Sequence, residues 1–496
     1  MAQTEPNERK CVFLLCLLSA IHVFIFSAAF PFFNNTDEGE HFDLVLKYSR
    51  GNVPRGMEVS SDECVRYFAV YSASFYLGSA ADAGEFLPPP WEWPSQQKNT
   101  IIQSARKSTQ GIINQESSQP PLYYALAGSW WRLGCALGLD GGQLLYWLRF
   151  LNVPIVVILV WLGWLAARLV FPADKFPRLG VPALLAFFPQ SAFYSIQNDV
   201  LSPICFGAAF ICLIRLMKEE IPTIRLGIAT GLALAATFLV KPSNLPFLGV
   251  SVAVLFFLAL KLWHSGKLPV ALPAFSWLAA CATLPAVLWM FWCQKYFGSL
   301  TGSKPKVLAL GWTLKPFDEW WHHPIFTLDG FWSFLSPLLA CFWQGEMSHH
   351  HQPLALPALN LFYAVVTLIL LAAALAGLVA SGQAASAPQR RALGFSFFAC
   401  VAAVAFLGFL SIIYDFHDCL YPSRELPFFT SGRLLLGALI PFSLLFVYGL
   451  DRALGWFKFD IQSKFRVLGA LLFFMLMAEI ITNWPAFADE YNWFHM

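Results

Sequence analysis

Charge is what this sequence has least of. Only 12% of its 496 residues are Asp, Glu, Lys or Arg, about half the share usual in soluble domains, and a surface that poor in charge needs lipid to cover it. The net charge of +2 and the pI near 8.0 leave no basic excess for nucleic acid, and no dense Lys/Arg stripe occurs. There is no CxxC pair, no Gly-rich phosphate loop and no repeat between the two halves. Cysteine numbers eleven, an odd count. Most lie inside apolar segments (Cys11, Cys16, Cys205, Cys212, Cys281 and Cys400) and read as small buried hydrophobes, not a disulfide framework. Cys64 and Cys419 fall in expected loops and could pair.

What the chain does have is apolar mass. Residues of the AVILMFWYC class make up 57% and the mean hydropathy is +0.57, which excludes disorder, collagen and a small disulfide scaffold. Its 48 Phe, 19 Trp and 14 Tyr include the two residue types that favour membrane interfaces. The expected fold is all-α: one integral membrane domain over residues 1–496, crossing the bilayer many times.

A helix needs about 20 apolar residues to cross a bilayer. Eleven segments qualify, roughly 11–33, 145–168, 180–196, 200–217, 226–240, 245–263, 269–292, 354–380, 392–413, 432–450 and 466–484. The first exceeds the length of a signal-peptide core and is read as a retained anchor; Arg9 and Lys10 before it place the N-terminus in the cytoplasm. Residues 121–139 are also apolar, but they are short and interrupted by Arg132, so they are read as a re-entrant or interfacial helix. With that choice Arg168, Lys175, Arg178, Arg215, Lys218, Arg225, Lys261, Lys267, Arg390, Arg391, Arg452, Lys458, Lys464 and Arg466 all fall on the cytoplasmic side, as the positive-inside bias requires. The outer side then carries loops of residues 34–144, 293–353 and about 414–431, and the tail 485–496. Most carboxylates fall there, so an active site is expected to face outward.

Directly after the first span, Asp37, Glu38, Glu40, His41 and Asp43 lie within seven residues. From Glu40 the pattern turns helical, with Phe42, Val45, Leu46 and Ser49 on one face and Gly51 and Pro54 ending it. Two readings stand: Thr36 or Asp37 caps the helix, or a carboxylate is held at the lipid–water boundary as a general base, with a metal role open to its neighbours. In the stretch 117–126, two prolines precede Tyr123 and Tyr124 at a helix start. Gln197, Asn198 and Asp199 form one outer turn, and Lys241-Pro242-Ser243-Asn244 the next, which puts Lys241 where a lipid phosphate would lie. Arg424, Glu425 and Arg433 stand at the mouth of the tenth span. Burying Arg433 there unpaired costs roughly 2.5–3.5 kcal/mol, so an anion must compensate, either a phosphate or Glu425. His349, His350 and His351, with His322 and His323 earlier in the loop, lack the spacing of a metal site. Glu479, deep in the last span, pairs with a polar neighbour such as Asn483 or serves a function.

The segments DEGEHFDLVLKYSRGNVP, QPPLYYAL, QNDVLS, VKPSNLPFL and SGRLLLGALIP, in that order and on one side of the membrane, resemble the GT-C superfamily of polytopic glycosyltransferases. Within it they look closest to a family of bacterial membrane proteins related to the protein O-mannosyltransferases and the aminoarabinose transferases. Thr36 departs from that pattern, which usually has proline before the acidic pair, and the three consecutive histidines have no counterpart there. The resemblance implies transfer of a sugar from a polyprenyl-phosphate donor to a hydroxyl of a glycan, lipid or protein acceptor, on the outer face of a bacterial inner membrane. It casts Asp37 as the catalytic carboxylate, Glu38 as the group orienting the acceptor or a divalent metal, and Lys241, Arg424 or Arg433 as the phosphate-binding cations. His41, Tyr123, Tyr124 and Asp199 would line the substrate site. A secondary transporter or flippase is the alternative.

Overall fold

The computed structural model describes residues 6–72, 88–349, 352–380, 386–419 and 421–496. The chain is helical almost throughout. Its helices are α1 (Pro6–Ala29), α2 (Glu38–Ser49), α3 (Asp62–Tyr71), α4 (Ser95–Ser108), α5 (Leu122–Ala136), α6 (Gly141–Arg149), α7 (Asn152–Val170), α8 (Lys175–Ala186), α9 (Ser202–Lys218) and α10 (Ile224–Val240). They continue with α11 (Leu245–His264), α12 (Leu268–Phe297), α13 (Ser303–Ala309), α14 (Leu328–Gln344), α15 (Pro357–Ala380), α16 (Ala387–Ile413), α17 (Leu439–Trp456) and α18 (Ile461–Phe487). Among the described residues nine helical stretches are long and apolar enough to cross a membrane, and α10 is a shorter apolar helix.

The eleven expected spans are therefore reduced to those nine and α10. The missing one is residues 180–196. There α8 stops at Ala186, and the chain runs on through two 3-10 turns, Ser191–Tyr194 and Asn198–Leu201, before α9. Pro189 explains the stop, because it disfavours helical geometry in Phe188 and supplies no N–H of its own. Irregular backbone at membrane depth is tolerated only inside protein, and residues 188–202 are buried. Asn152 donates from Nδ2 to the carbonyls of Phe193 (3.1 Å) and Ser195 (2.8 Å), replacing bonds the helix would have made. Gln190 donates across to Cys341 O (3.0 Å) and Phe342 O (2.7 Å).

Helix α10 lies along α12, and the spacing of Gly227 and Gly231 explains how close the two come. A Cβ at either glycine would collide with the α12 backbone, at the carbonyls of Ala274 and Leu278, which is the small-xxx-small approach used where lipid supplies no hydrophobic drive. Within residues 121–139, α5 lies against α2 and buries Tyr123, Tyr124, Ala127 and Trp131.

The long loops gather at one end of the bundle. Thr313–Leu314 pairs antiparallel with Tyr414–Asp415, Asn35 bridges to Met347, and Trp292 donates to Pro54 O at 3.1 Å. The second loop is more ordered than its sequence suggested, since α14 buries Phe334, Leu338, Phe342 and Trp343 against the bundle. At the opposite end lie the basic short connections, with Arg178–Glu8 (2.9 Å), Lys267–Glu220 (2.9 Å) and Lys464–Asp451 (2.7 Å). Cys64 and Cys419 do not pair; both are free thiols.

Candidate functional site

The site grows from the eight residues, 30–37, between α1 and α2. Asp37 precedes α2 in the left-handed region, φ 62° and ψ 6°, and its side chain makes no capping bond. That conformation is uncommon outside glycine, with Asp and Asn among the few residues that tolerate it. A cap would hold the carboxylate on α2's amides, whereas here it is turned onto the Arg433 guanidinium. The N-cap reading of Asp37 is thereby excluded.

Arg433 gathers the rest. Its Nε stands 2.9 Å from Glu346 Oε2, its Nη2 meets Asp37, and its Nη1 donates to Gln197 Oε1 and Thr36 O, both at 3.3 Å. Asp199 Oδ2 lies 3.8 Å from the same Nη1 and accepts from Lys241 Nζ at 2.6 Å. The compensating anions are thus Asp37, Glu346 and Asp199. Glu425, the sequence's nominal partner, is exposed elsewhere.

A second ring of acids adjoins Asp37. Carboxylate oxygens of Asp37, Glu40 and Glu116 lie within 4.8 Å of one another, and Lys306 pairs with Glu116. Burial raises the Asp37 carboxyl, but Arg433 outweighs it and holds the group below the ordinary carboxylate range. Glu40 has no cation in direct contact; burial, with Asp37 and Glu116 beside it, outweighs Lys306 and pushes it up to about 8. Burial also drives His41 down to about 4, so its imidazole is neutral at pH 7. Its Nδ1 bonds the Tyr124 hydroxyl at 2.7 Å, while its buried Nε2 has no partner. Three clustered carboxylates are the oxygen donors a hard divalent cation takes, so Asp37, Glu40 and Glu116 fit the metal role left open by the sequence.

Two hollows meet at Asp37. One, of about 550 Å³, is lined by Thr36, Asp37, Glu116, Lys241, Lys306, Glu346 and Arg433, with apolar walls from Leu310, Trp312, Leu354, Phe429 and Leu434. The other, of about 500 Å³, lies between α2 and α3 and reaches Glu40, Cys64 and Phe68.

Of the residues singled out from sequence, the fold brings Asp37, Asp199, Lys241 and Arg433 into one cluster. Tyr124 and His41 stand bonded behind it and Tyr123 is buried beside them. Two residues fall elsewhere. The Glu38 carboxylate is fully occupied by Arg149 (2.8 and 3.0 Å) and by the amides of Phe33 (2.9 Å) and Ile196 (3.0 Å); with neither side chain exposed, it anchors the loop and has no bond left for an acceptor or metal. Arg424 is exposed and bonds His417 Nδ1 at 2.7 Å and Asp415 at 3.4 Å, outside the cavity lining. Glu116, Lys306 and Glu346 were missed, because each acquires its partner only through the fold. His323 bonds Ile325 N and Pro427 O (both 3.1 Å); His350 and His351 lie outside the described residues. Glu479 takes its partners from other helices, Tyr194 at 2.6 Å and His22 at 3.0 Å, while Asn483 reaches only its carbonyl.

No curated protein matches the chain. Residues 20–414 match the family described as "Predicted membrane protein (DUF2142)", and with a match over so much of its length, this multi-pass helical membrane protein belongs to that family.

Proposed function

We propose that the protein is a membrane glycosyltransferase that moves a sugar from a polyprenyl-phosphate donor to an acceptor hydroxyl at the extracytoplasmic face of a bacterial plasma membrane. The observation that carries this reading is the placement of Asp37: a carboxylate in left-handed backbone, at the start of α2, directed at an arginine over a 550 Å³ cavity with polar floor and apolar walls. The orientation rests on the short basic loops, which put the opposite end in the cytoplasm.

The acceptor oxygen attacks the anomeric carbon while Asp37 takes its proton. The bond from that carbon to the phosphate oxygen breaks, the polyprenyl phosphate leaves with the electron pair, and the anomeric centre inverts. A hydroxyl is far too weak an acid to react unaided, and a positioned base contributes about 10²–10⁴-fold. Arg433, Lys241 and Lys306 supply positive charge where the leaving phosphate develops its own. Arg433 holds Asp37 in the resting protein, so the phosphate must draw the guanidinium away before Asp37 becomes basic. Five carboxyls face these three cations; with Glu40 protonated, four charges oppose three. A divalent cation held by Asp37, Glu40 and Glu116 would displace the Glu40 proton, offset the resulting excess of two negative charges and screen the phosphate.

The transporter alternative has one specific observation behind it, the His22–Glu479–Tyr194 group inside the bundle. That group bonds within itself and borders a hollow of only about 10 Å³, too small for a solute.

The test is transfer by the full chain in nanodiscs, using radiolabelled polyprenyl-phosphate sugars and envelope extract as acceptor. Asp37→Asn is expected to lower transfer by about 100-fold or more while folding normally. Undiminished transfer by that variant removes the base.

A further inference from the structure

At the end of the bundle opposite the site, an apolar groove of about 710 Å³ runs between α11 and α16, with Met217 of α9 at its edge. Its wall is hydrocarbon, including Val250, Phe257 and Phe398, except for two residues, Lys261 and Arg391. Lys261 lies near the C-terminus of α11 and Arg391 near the N-terminus of α16. The two cations therefore share one end of the groove. Neither side chain makes a hydrogen bond or ion pair among the described residues. Glu220, the acid on which Lys261 acts, is already paired with Lys267 at 2.9 Å.

The groove is held open by its own sequence. Gly249 and Gly394 both line it, both lie inside helices, and a Cβ at either would meet nothing within 4 Å. Gly227 and Gly231 admit a neighbouring helix; these two admit no protein atom. A helix-interior glycine destabilises its helix relative to alanine, so two with no packing return mark space kept free. From Gly249 to Lys261 is twelve residues of α11, about 18 Å at 1.5 Å per residue. One leaflet of the hydrocarbon core is about 15 Å deep. The groove thus has the length of an acyl chain, with its paired cations at headgroup level.

We propose that this groove is a specific site for an anionic diacyl phospholipid of the leaflet opposite the catalytic face, its phosphate between Lys261 and Arg391 and one acyl chain running toward Gly249. Basic residues near a membrane surface attract anionic lipid, and convergence of two on one phosphate above a fitted channel turns that attraction into a site.

The full chain in detergent, given equal dioleoyl-phosphatidylglycerol and dioleoyl-phosphatidylcholine, is read by native mass spectrometry. The first lipid adduct is expected to favour phosphatidylglycerol at least fivefold. Lys261→Ala with Arg391→Ala is expected to bring that ratio below twofold, whereas Arg390→Ala, an exposed cation at the same end but outside the groove, leaves it intact. Gly394→Leu is expected to weaken the first adduct of both lipids by filling the channel. No preference in the wild type, an unchanged preference in the double variant, or displacement of phosphatidylglycerol by equimolar undecaprenyl phosphate at these two cations overturns the proposal.

Discussion

Asp37 and Glu38 are consecutive carboxylates, and each meets an arginine from far along the chain. Glu38 faces Arg149, whose remaining N–H groups go to the carbonyls of Ser27, Phe30 and Pro31 and whose plane lies over the Phe32 ring at 4.2 Å. Both side chains are 0% exposed. Asp37 faces Arg433, which divides its donors among five acceptors, Ser431 Oγ included, and leaves Asp37 30% exposed to the cavity. A closed pair fixes the chain where it leaves α1; an open pair, with competing partners and space beside it, can exchange one anion for another. Burial alone does not separate structure from function here. The number of bonds still available does.

Breaking the closed pair gives the largest effect on folding. Glu38→Gln leaves Arg149 buried without its counter-charge, a loss of about 3–5 kcal/mol, and is expected to lower the thermal midpoint steeply or prevent recovery of folded protein. Asp37→Asn in the same assay is expected to change stability by less than about 1 kcal/mol, since the cavity hydrates what Arg433 loses. Equal destabilisation by the two variants erases the distinction.

Glu40 sharpens it further. Its native carboxyl titrates near 8, against an ordinary value of 4.5, so the folded protein keeps a proton that the unfolded chain gives up. Stability from this group is complete below about pH 4.5 and is lost as pH rises toward 8. Thermal unfolding between pH 5 and pH 8.5 should therefore show a decline that Glu40→Gln, permanently neutral, flattens. A wild-type profile that rises over this interval with no change in the variant contradicts the assignment. The smallest effect is expected from Arg424→Ala: an exposed pair contributes up to about 1 kcal/mol, and both stability and transfer should stay near wild type.

Much of this was legible in the sequence. Apolar runs marked the spans because lipid permits little else over 20 residues, and Asp37, Asp199, Lys241 and Arg433 stood out as charges where such runs begin or end. The break after Ala186 stayed hidden inside a mostly apolar run, with Pro189 and the Gln190-Ser191 pair after it as its signs. The roles of Glu38 and Asp37 were inseparable, because Arg149 lies 111 residues away and Arg433 396. Glu116, Lys306 and Glu346 carried no local signal, and chain order gave no reason to prefer Glu346 over Glu425 as the anion beside Arg433.

The exchange of anions at Arg433 is the central claim, and binding of a polyprenyl phosphate measures it without need of the acceptor. Decaprenyl phosphate titrated into the wild-type protein, Arg433→Ala and Arg424→Ala, with heat or fluorescence as readout, should give at least tenfold weaker binding for Arg433→Ala and no change for Arg424→Ala. Equal affinity in all three would mean that the guanidinium over the cavity holds only its own carboxylates.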